Sequence, residues 1–296
     1  MEALLDWGIL PILWFQQFSP TLDLLFKAFT LMGEEAFFTL LVFCVYWCID
    51  QRAGVRLAIL FLLSGYINTV AKVLAGQPRP FQYNAQVRKL FEAGGGGLPS
   101  GHTQNTVVIW GALAFRFRKV WLWVIALFLM LLVPISRVYL GLHFPTDLVG
   151  GYLLGFLLLL LYRWLEPGVA VWLRNGGLTW QLSISLALPA LMILLFPGNQ
   201  KNGLIAGATL MGMGAGFVLE QHFVRFQSGG IRWKQIARFL LGTAIAFTLW
   251  RGLRFSFSGL QPESLYRFLR YGLVGLWAAL GAPWVFVKLR LAGTES

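Results

Sequence analysis

The sequence is short of charge, and shortest of negative charge. Charged residues make up 12% of its 296 residues, with 12 Asp+Glu against 24 Lys+Arg. An ordinary soluble domain is about 25% charged and about 45–50% apolar. Here 57% is apolar and the mean hydropathy is +0.68. A soluble globular enzyme is therefore excluded, and the wealth of Leu, Phe and Trp excludes disorder. Cysteine is scarce: Cys44 and Cys48 lie four apart in one apolar run. Neighbours at that spacing on a helix rarely reach disulfide geometry, so both are expected to be small apolar packers. No zinc or haem spacing occurs. The start, Met1 to Trp14, lacks a basic stretch before its apolar run, so no cleaved leader is expected. The short alternating strands of a membrane barrel are missing as well. The net charge of +12 forms no stripe or tail. Single cations between apolar runs suit lipid headgroups and the positive-inside bias, and not a nucleic acid.

What is present is a series of long apolar runs. A helix needs about 20 apolar residues to cross a bilayer. The runs predict an all-α, polytopic membrane protein of about nine transmembrane helices, near 33–49, 54–75, 100–117, 119–140, 144–164, 180–197, 204–224, 236–256 and 268–288. Residues 1–32 are shorter and broken by Pro11, and are expected to form two interfacial helices. There Ser19-Pro20 reads as an N-cap with Pro at N1, ahead of an Asp23–Lys27 pair. The division expected is 1–32, a five-span core over 33–165 and a four-span segment over 166–296. The cationic loop Arg116 to Lys119 marks the cytoplasmic side.

Ionisable groups near a span are costly and therefore informative. Lys72 ends the second span, and Arg79-Pro80 follows. Pro99-Ser100-Gly101-His102 opens the third. Ser136-Arg137 ends the fourth, and His143 and Asp147 open the fifth. Counting spans places all three groups on one membrane face, opposite the cytoplasmic one. The start of span three offers unpaired N–H groups to an anion, with the Ser100 hydroxyl beside them. Lys72, Arg79 and Arg137 suit a phosphate. His143 and Asp147 at i,i+4 share a helix face, so the carboxylate can hold one ring nitrogen and leave the other as a nucleophile. His102 is then the spare imidazole for general acid work. A lone His or Arg at a span end is ordinarily structural. Two of three histidines in one cluster argue otherwise.

Lys72-x6-Arg79-Pro80, Pro99-Ser100-Gly101-His102 and Ser136-Arg137-x5-His143-x3-Asp147 together resemble the tripartite signature of the type 2 phosphatidic acid phosphatase superfamily. The resemblance covers roughly 33–164. It departs at the front, where a further span is usual, and it does not reach the last 130 or so residues. It implies that His143 attacks phosphorus to form a phosphohistidine and that Asp147 orients it. His102 would protonate the leaving oxygen and then activate water. Lys72, Arg79, Ser100, the Gly101 N–H and Arg137 would hold the phosphate oxygens. It implies no metal and no other cofactor, because side-chain cations fill that role.

The expected function is an integral membrane lipid phosphatase acting on a monoester or diphosphate, such as phosphatidate, phosphatidylglycerophosphate or polyprenyl diphosphate. Its expected place is the cytoplasmic (inner) membrane, multi-pass, with the active site on the outer face. The partners implied are the lipid phosphate and membrane lipids, with no nucleic acid and room for a homo-oligomer. One rival keeps the histidine but passes the phosphate to another acceptor, as a phosphotransferase. Another is a lipid transporter or scramblase with the C-terminal spans as translocation module.

Several features have plainer readings. Gly212-Met213-Gly214-Ala215-Gly216 is expected to pack helices closely. Gly94–Gly97 reads as a flexible lead into Pro99, with phosphate cradling as the alternative. His222 is expected to be structural. Arg251, Arg254, Arg267 and Arg270 divide evenly between anchoring and an anionic headgroup. Glu34-Glu35 are expected to complement the helix dipole, with substrate gating as the alternative.

Overall fold

The computed structural model describes residues 2–197 and 201–294. Helix α1 (Glu2–Gln16) opens the chain, followed by α2 (Asp23–Leu31) and α3 (Glu35–Cys44). Then come α4 (Gln51–Ala75), the short α5 (Pro80–Tyr83), α6 (Gly101–Phe117), α7 (Val120–Tyr139) and α8 (Pro145–Asn175). The remainder is α9 (Gly177–Leu194), α10 (Lys201–Leu219), β1 (Phe226–Gln227), α11 (Arg232–Ser256), α12 (Glu263–Leu276), α13 (Ala282–Lys288) and β2 (Gly293–Thr294). Single π turns occupy Val45–Ile49, Glu220–Val224 and Trp277–Gly281. Among the described residues the regular structure is thus helical, as expected, apart from the two-residue antiparallel pair β1–β2.

Helix α7 shows why these helices belong in a bilayer. Leu122, Ala126, Leu129 and Val133 are buried on one stripe, while Val120, Val124, Leu127 and Leu131 are more than half exposed on the other. Both stripes are apolar, so the outer one needs a lipid neighbour. Helix α6 is the reverse case. From Thr103 to Ala114 it is buried almost all round. It can therefore carry polar residues, provided they are paired. Asn68 Nδ2 donates to Gln104 Oε1 at 2.7 Å, Gln104 Nε2 to the Ser64 carbonyl at 2.9 Å, and the Ser64 hydroxyl to Asn105 Oδ1 at 2.7 Å.

The expected count of about nine spans is not reproduced by helix length and composition. Among the described residues, seven helices are long and apolar enough to cross a membrane, and eight if the bent pair Asp23–Leu31 and Glu35–Ile49 is one span. The 17 residues of α6 stop just short of the length required. The bend of 50° falls at Met32–Glu34. The Ser19-Pro20 cap also differs. The turn runs on to Leu22, which precedes α2 without a side-chain cap bond, although the Asp23–Lys27 pair forms at 3.6 Å. Helix α8 continues through Glu166-Pro167-Gly168, where a boundary was expected.

The chain divides into two compact units. One holds Met1–Phe38 and Ser64–Trp164, the other Thr39–Leu63 and Leu165–Ser296. The junctions fall inside α3, α4 and α8.

In the first unit, α1 buries Leu5, Ile9 and Ile12 against Val87, Val138, Phe144 and Leu148. These lie one turn apart on a single helix face. Phe26 of α2 stacks on Tyr139, with centroids 4.3 Å apart. The N-terminal helices therefore help to wall the segment that carries His143.

In the second unit, α10 and α12 approach closely. A Cβ on Gly216 would meet Ala279 Cβ at 2.7 Å, and one on Gly275 would meet the Thr209 carbonyl at 2.7 Å. Gly212 lies directly against the Gly272 carbonyl. The small-residue run is a packing seam. His222 donates from Nδ1 to the Val218 carbonyl of its own helix at 2.9 Å, in keeping with a structural role. Cys44 and Cys48 are free thiols.

Candidate active site

The site is assembled in the first unit from four chain segments. The end of α4 and the residues beyond it supply Lys72, Gln77 and Arg79. The N-terminus of α6 supplies Ser100, Gly101 and His102. The end of α7 supplies Arg137, and the turn into α8 supplies His143 and Asp147. Gly141 makes that turn with φ +72 and lies directly against the Arg88 carbonyl, so a side chain is excluded on two counts.

His143 is 1% exposed and Asp147 is fully buried. His143 Nδ1 donates to Asp147 Oδ2 at 3.0 Å. The same carboxylate accepts from the Phe144 N–H at 3.0 Å and from Gln77 Nε2 at 2.6 Å. Three donors thus fix one carboxylate, and the carboxylate fixes the tautomer of the ring. The Nε2 lone pair faces the cations, with Arg79 Nη1 donating to it at 3.2 Å. His143 lies outside the spanning helices. Burial, and then the charges of Lys72, Arg137 and Arg79, hold its imidazole well below the usual value. Both effects favour the neutral ring, with a lone pair on Nε2.

Ser100 caps α6. Its Oγ accepts from the Thr103 N–H at 3.4 Å and from the Thr103 hydroxyl at 3.0 Å. Two accepted bonds leave its own hydrogen to donate. The Ser100 N–H donates to the Asp147 carbonyl at 2.9 Å, which ties the cap to the start of α8. Gly101 lies so close to Asn68 that a Cβ would stand 2.9 Å from Oδ1.

Lys72, Arg79 and Arg137 converge with no matching number of carboxylates. Lys72 Nζ donates to the Gly96 carbonyl at 2.7 Å, and Arg79 donates to the carbonyls of Gly95 (3.0 Å), Gly94 (2.6 Å) and Leu142 (2.9 Å). The glycine run is thus neither a free lead nor an N–H cradle. Its carbonyls form a collar on two of the cations. Arg137 is 2% exposed, and its Nε has no hydrogen-bond partner. Its Nη1 donates to Thr30 Oγ1 and lies 3.2 Å from His102 Nε2. Buried cations of this kind call for an anion.

All eight residues singled out from sequence meet here. Two partners escaped that reading. Gln77 holds Asp147, and its place between Lys72 and Arg79 was the available signal. Glu34 was assigned to the helix dipole, yet Oε1 stands 3.3 Å from His102 Nε2.

The family model described as PAP2 superfamily matches residues 53–169, and the model described as PAP2 superfamily phosphatase, transmembrane extension, matches 204–294. The chain belongs to the PAP2 superfamily. The first match contains the whole tripartite signature, and the second accounts for much of the segment the signature does not reach. Among its relatives, an undecaprenyl-diphosphatase of Sulfolobus acidocaldarius is 32% identical over 107 residues, covering 36% of this chain and 51% of that one. Phosphatidylglycerophosphatase B of Bacillus subtilis is 31% identical over 119 residues, covering 37% and 56%. Human sphingosine-1-phosphate phosphatase 2 is 31% identical over 146 residues, covering 46% and 36%. The chain thus spans about half the length of the first two, and less of the third. The crystal structure of a transmembrane PAP2-type phosphatidylglycerolphosphate phosphatase from Bacillus subtilis shares the fold. Its TM-score is 0.50 at 24% identity, covering 57% of this chain and 89% of that one.

Proposed function

We propose that this PAP2 protein is an integral membrane lipid phosphatase that cleaves a lipid phosphate monoester or diphosphate through a phosphohistidine on His143. One observation carries the reading: His143 has one nitrogen fixed by a buried, triply bonded carboxylate and the other turned toward Arg79 within a group of cations. That is an activated nucleophile in an anion site.

The geometry supports the following steps. Phosphate oxygens take over the donors of Lys72 and Arg79 from the glycine carbonyls, and add those of Arg137, Ser100 and the Gly101 N–H. His143 Nε2 attacks phosphorus while its Nδ1–H stays on Asp147, which stabilises the imidazolium formed. His102 gives a proton to the leaving oxygen. A water then gives a proton to His102 and its oxygen to phosphorus, and the P–N bond breaks with its electron pair returning to Nε2. The equatorial charge is stabilised by three fixed cations, so this chemistry needs no metal.

The names of the relatives support a lipid phosphate substrate: an undecaprenyl diphosphate, a phosphatidylglycerophosphate and a sphingosine 1-phosphate. A site at the ends of spanning helices suits a substrate whose tail stays in lipid. The loop charges support the outer face of the cytoplasmic membrane. The five-span core of 33–165 would carry the chemistry, with 166–296 as an added membrane segment. The test is phosphate release by purified protein from a panel of these lipids in mixed micelles, with and without chelator. Release that is unaffected by chelator and lost in His143→Ala is expected. Full activity in His143→Ala would overturn the assignment, and transfer to an added acceptor without release would favour the phosphotransferase.

A further inference from the structure

We propose that Glu34, in the turn between α2 and α3, is the positioning residue for His102 and completes the acid–base half of the site; this deepens the phosphatase reading and rests on it. The turn lies ahead of residues 53–169 that match the family model. Three observations bring it to the machinery. Glu34 Oε1 stands 3.3 Å from His102 Nε2. Thr30, four residues earlier, accepts from Arg137 Nη1. Gly33 lies between them and seats the turn on the ring, since a Cβ there would stand 2.7 Å from His102 Cδ2 and 2.6 Å from Val133 Cγ1.

The arrangement around His102 Nε2 is two-sided. On one side is an acceptor, the Glu34 carboxylate. On the other is a donor, Arg137 Nη1 at 3.2 Å. A protonated Nε2 donates to Glu34, and a deprotonated Nε2 accepts from Arg137. One nitrogen therefore has a partner in each protonation state, which a group that first gives and later takes a proton requires. The charges facing the ring are Arg137 from α7, Lys72 from α4 and Glu34 from the turn. The two cations favour the neutral ring, and the carboxylate alone favours the charged one.

The proton balance is closed. Before the first step His102 holds the Nε2 proton against Glu34. The proton passes to the leaving oxygen as the P–O bond breaks, and Nε2 turns to Arg137. In the second step water supplies the proton back to Nε2 as its oxygen bonds to phosphorus and the bond to His143 breaks. Glu34 takes no proton. It holds the Nε2 proton in place and opposes the burial and the two cations that favour the neutral ring.

The test is the pH profile of phosphate release for wild type, Glu34→Gln and Glu34→Asp, with His143→Ala as control. Each is measured with a lipid phosphate of poor leaving group and with an aryl phosphate of good leaving group. Glu34 is about one-third exposed, 35% by side chain, so the isosteric Gln is compatible with the fold. Glu34→Gln is expected to lose at least tenfold on the lipid phosphate and much less on the aryl phosphate, with its alkaline limb moved about one or more pH units lower. Glu34→Asp should recover part of both. A Glu34→Gln profile that superimposes on wild type, or a uniform loss at every pH on both substrates, overturns the proposal. Activity retained in His143→Ala would overturn the underlying phosphatase reading instead.

Discussion

At the residue scale, the account rests on which nitrogen of each imidazole does what. Asp147 fixes Nδ1 of His143, so Asp147→Asn keeps the shape but no longer stabilises the imidazolium. A loss of about 10²–10⁴-fold in kcat is expected with a smaller change in KM, as steady-state kinetics can show. Arg137→Lys replaces a planar fork with a point charge. About 10²-fold loss in kcat is expected, because the transition state has more use for the bidentate donor than the substrate does. The pH dependence has a defined sign. His143 must be neutral to attack, and burial with three cations holds its pKa below the ordinary ~6.5. The free-enzyme acid limb of kcat/KM should therefore lie clearly below pH 6.5. Replacing Lys72 by Met removes one of those charges and should move that limb upward. His143, Asp147 and the three cations were all legible in the sequence as one cluster, because ionisable groups are rare in apolar spans. Gln77 and Glu34 were not, because a polar residue at a span end has many ordinary uses and only the fold shows what it touches.

At the element scale, the loops into the helices matter more than the helices. The carbonyls of Gly94–Gly97 hold Lys72 and Arg79 in place. Gly97 is the tight position: a Cβ would stand 2.9 Å from the Pro78 carbonyl and 3.1 Å from Asp147 Oδ2. Gly97→Ala should therefore impair turnover by pushing the segment off the carboxylate, while Gly94→Ala, whose Cβ meets nothing within 4 Å, should be near neutral. Comparing their turnover at equal folded fraction checks this. The composition of the run announced a loop, but not that its carbonyls would face the cations. The bend at Met32–Glu34 was equally hidden. A span beginning at 33 is what hydropathy sees, since hydropathy records the apolar run and not the turn that Gly33 makes against His102 and Val133.

At the scale of the whole molecule, the scarcity of negative charge acquires a meaning. With 12 Asp+Glu for 24 Lys+Arg, cations outnumber carboxylates two to one. Many mark loops and span ends, where headgroups serve as counter-ions. Lys72, Arg79 and Arg137 are different, because they are drawn together with, among the described residues, only Asp147 and Glu34 as nearby carboxylates. The helical membrane class was readable from composition and run length alone. The number of spans was less so, for definite reasons: α6 is buried and short, and α2 and α3 share a bent run. The division at Thr39–Leu63 has no signature in composition, because it is set by which helices pack together. The second unit holds the small-residue seam of α10 and α12.

The central claim is that phosphorus passes through His143. It is tested most directly by mixing purified protein with a lipid phosphate labelled in the phosphoryl group and quenching within a single turnover. The account predicts protein-bound label that is stable to base, labile to acid and mapped to His143, absent from His143→Ala and accumulating in His102→Ala when the leaving group is good. Full phosphate release with no labelled protein at any time, or label on any other residue, would contradict it.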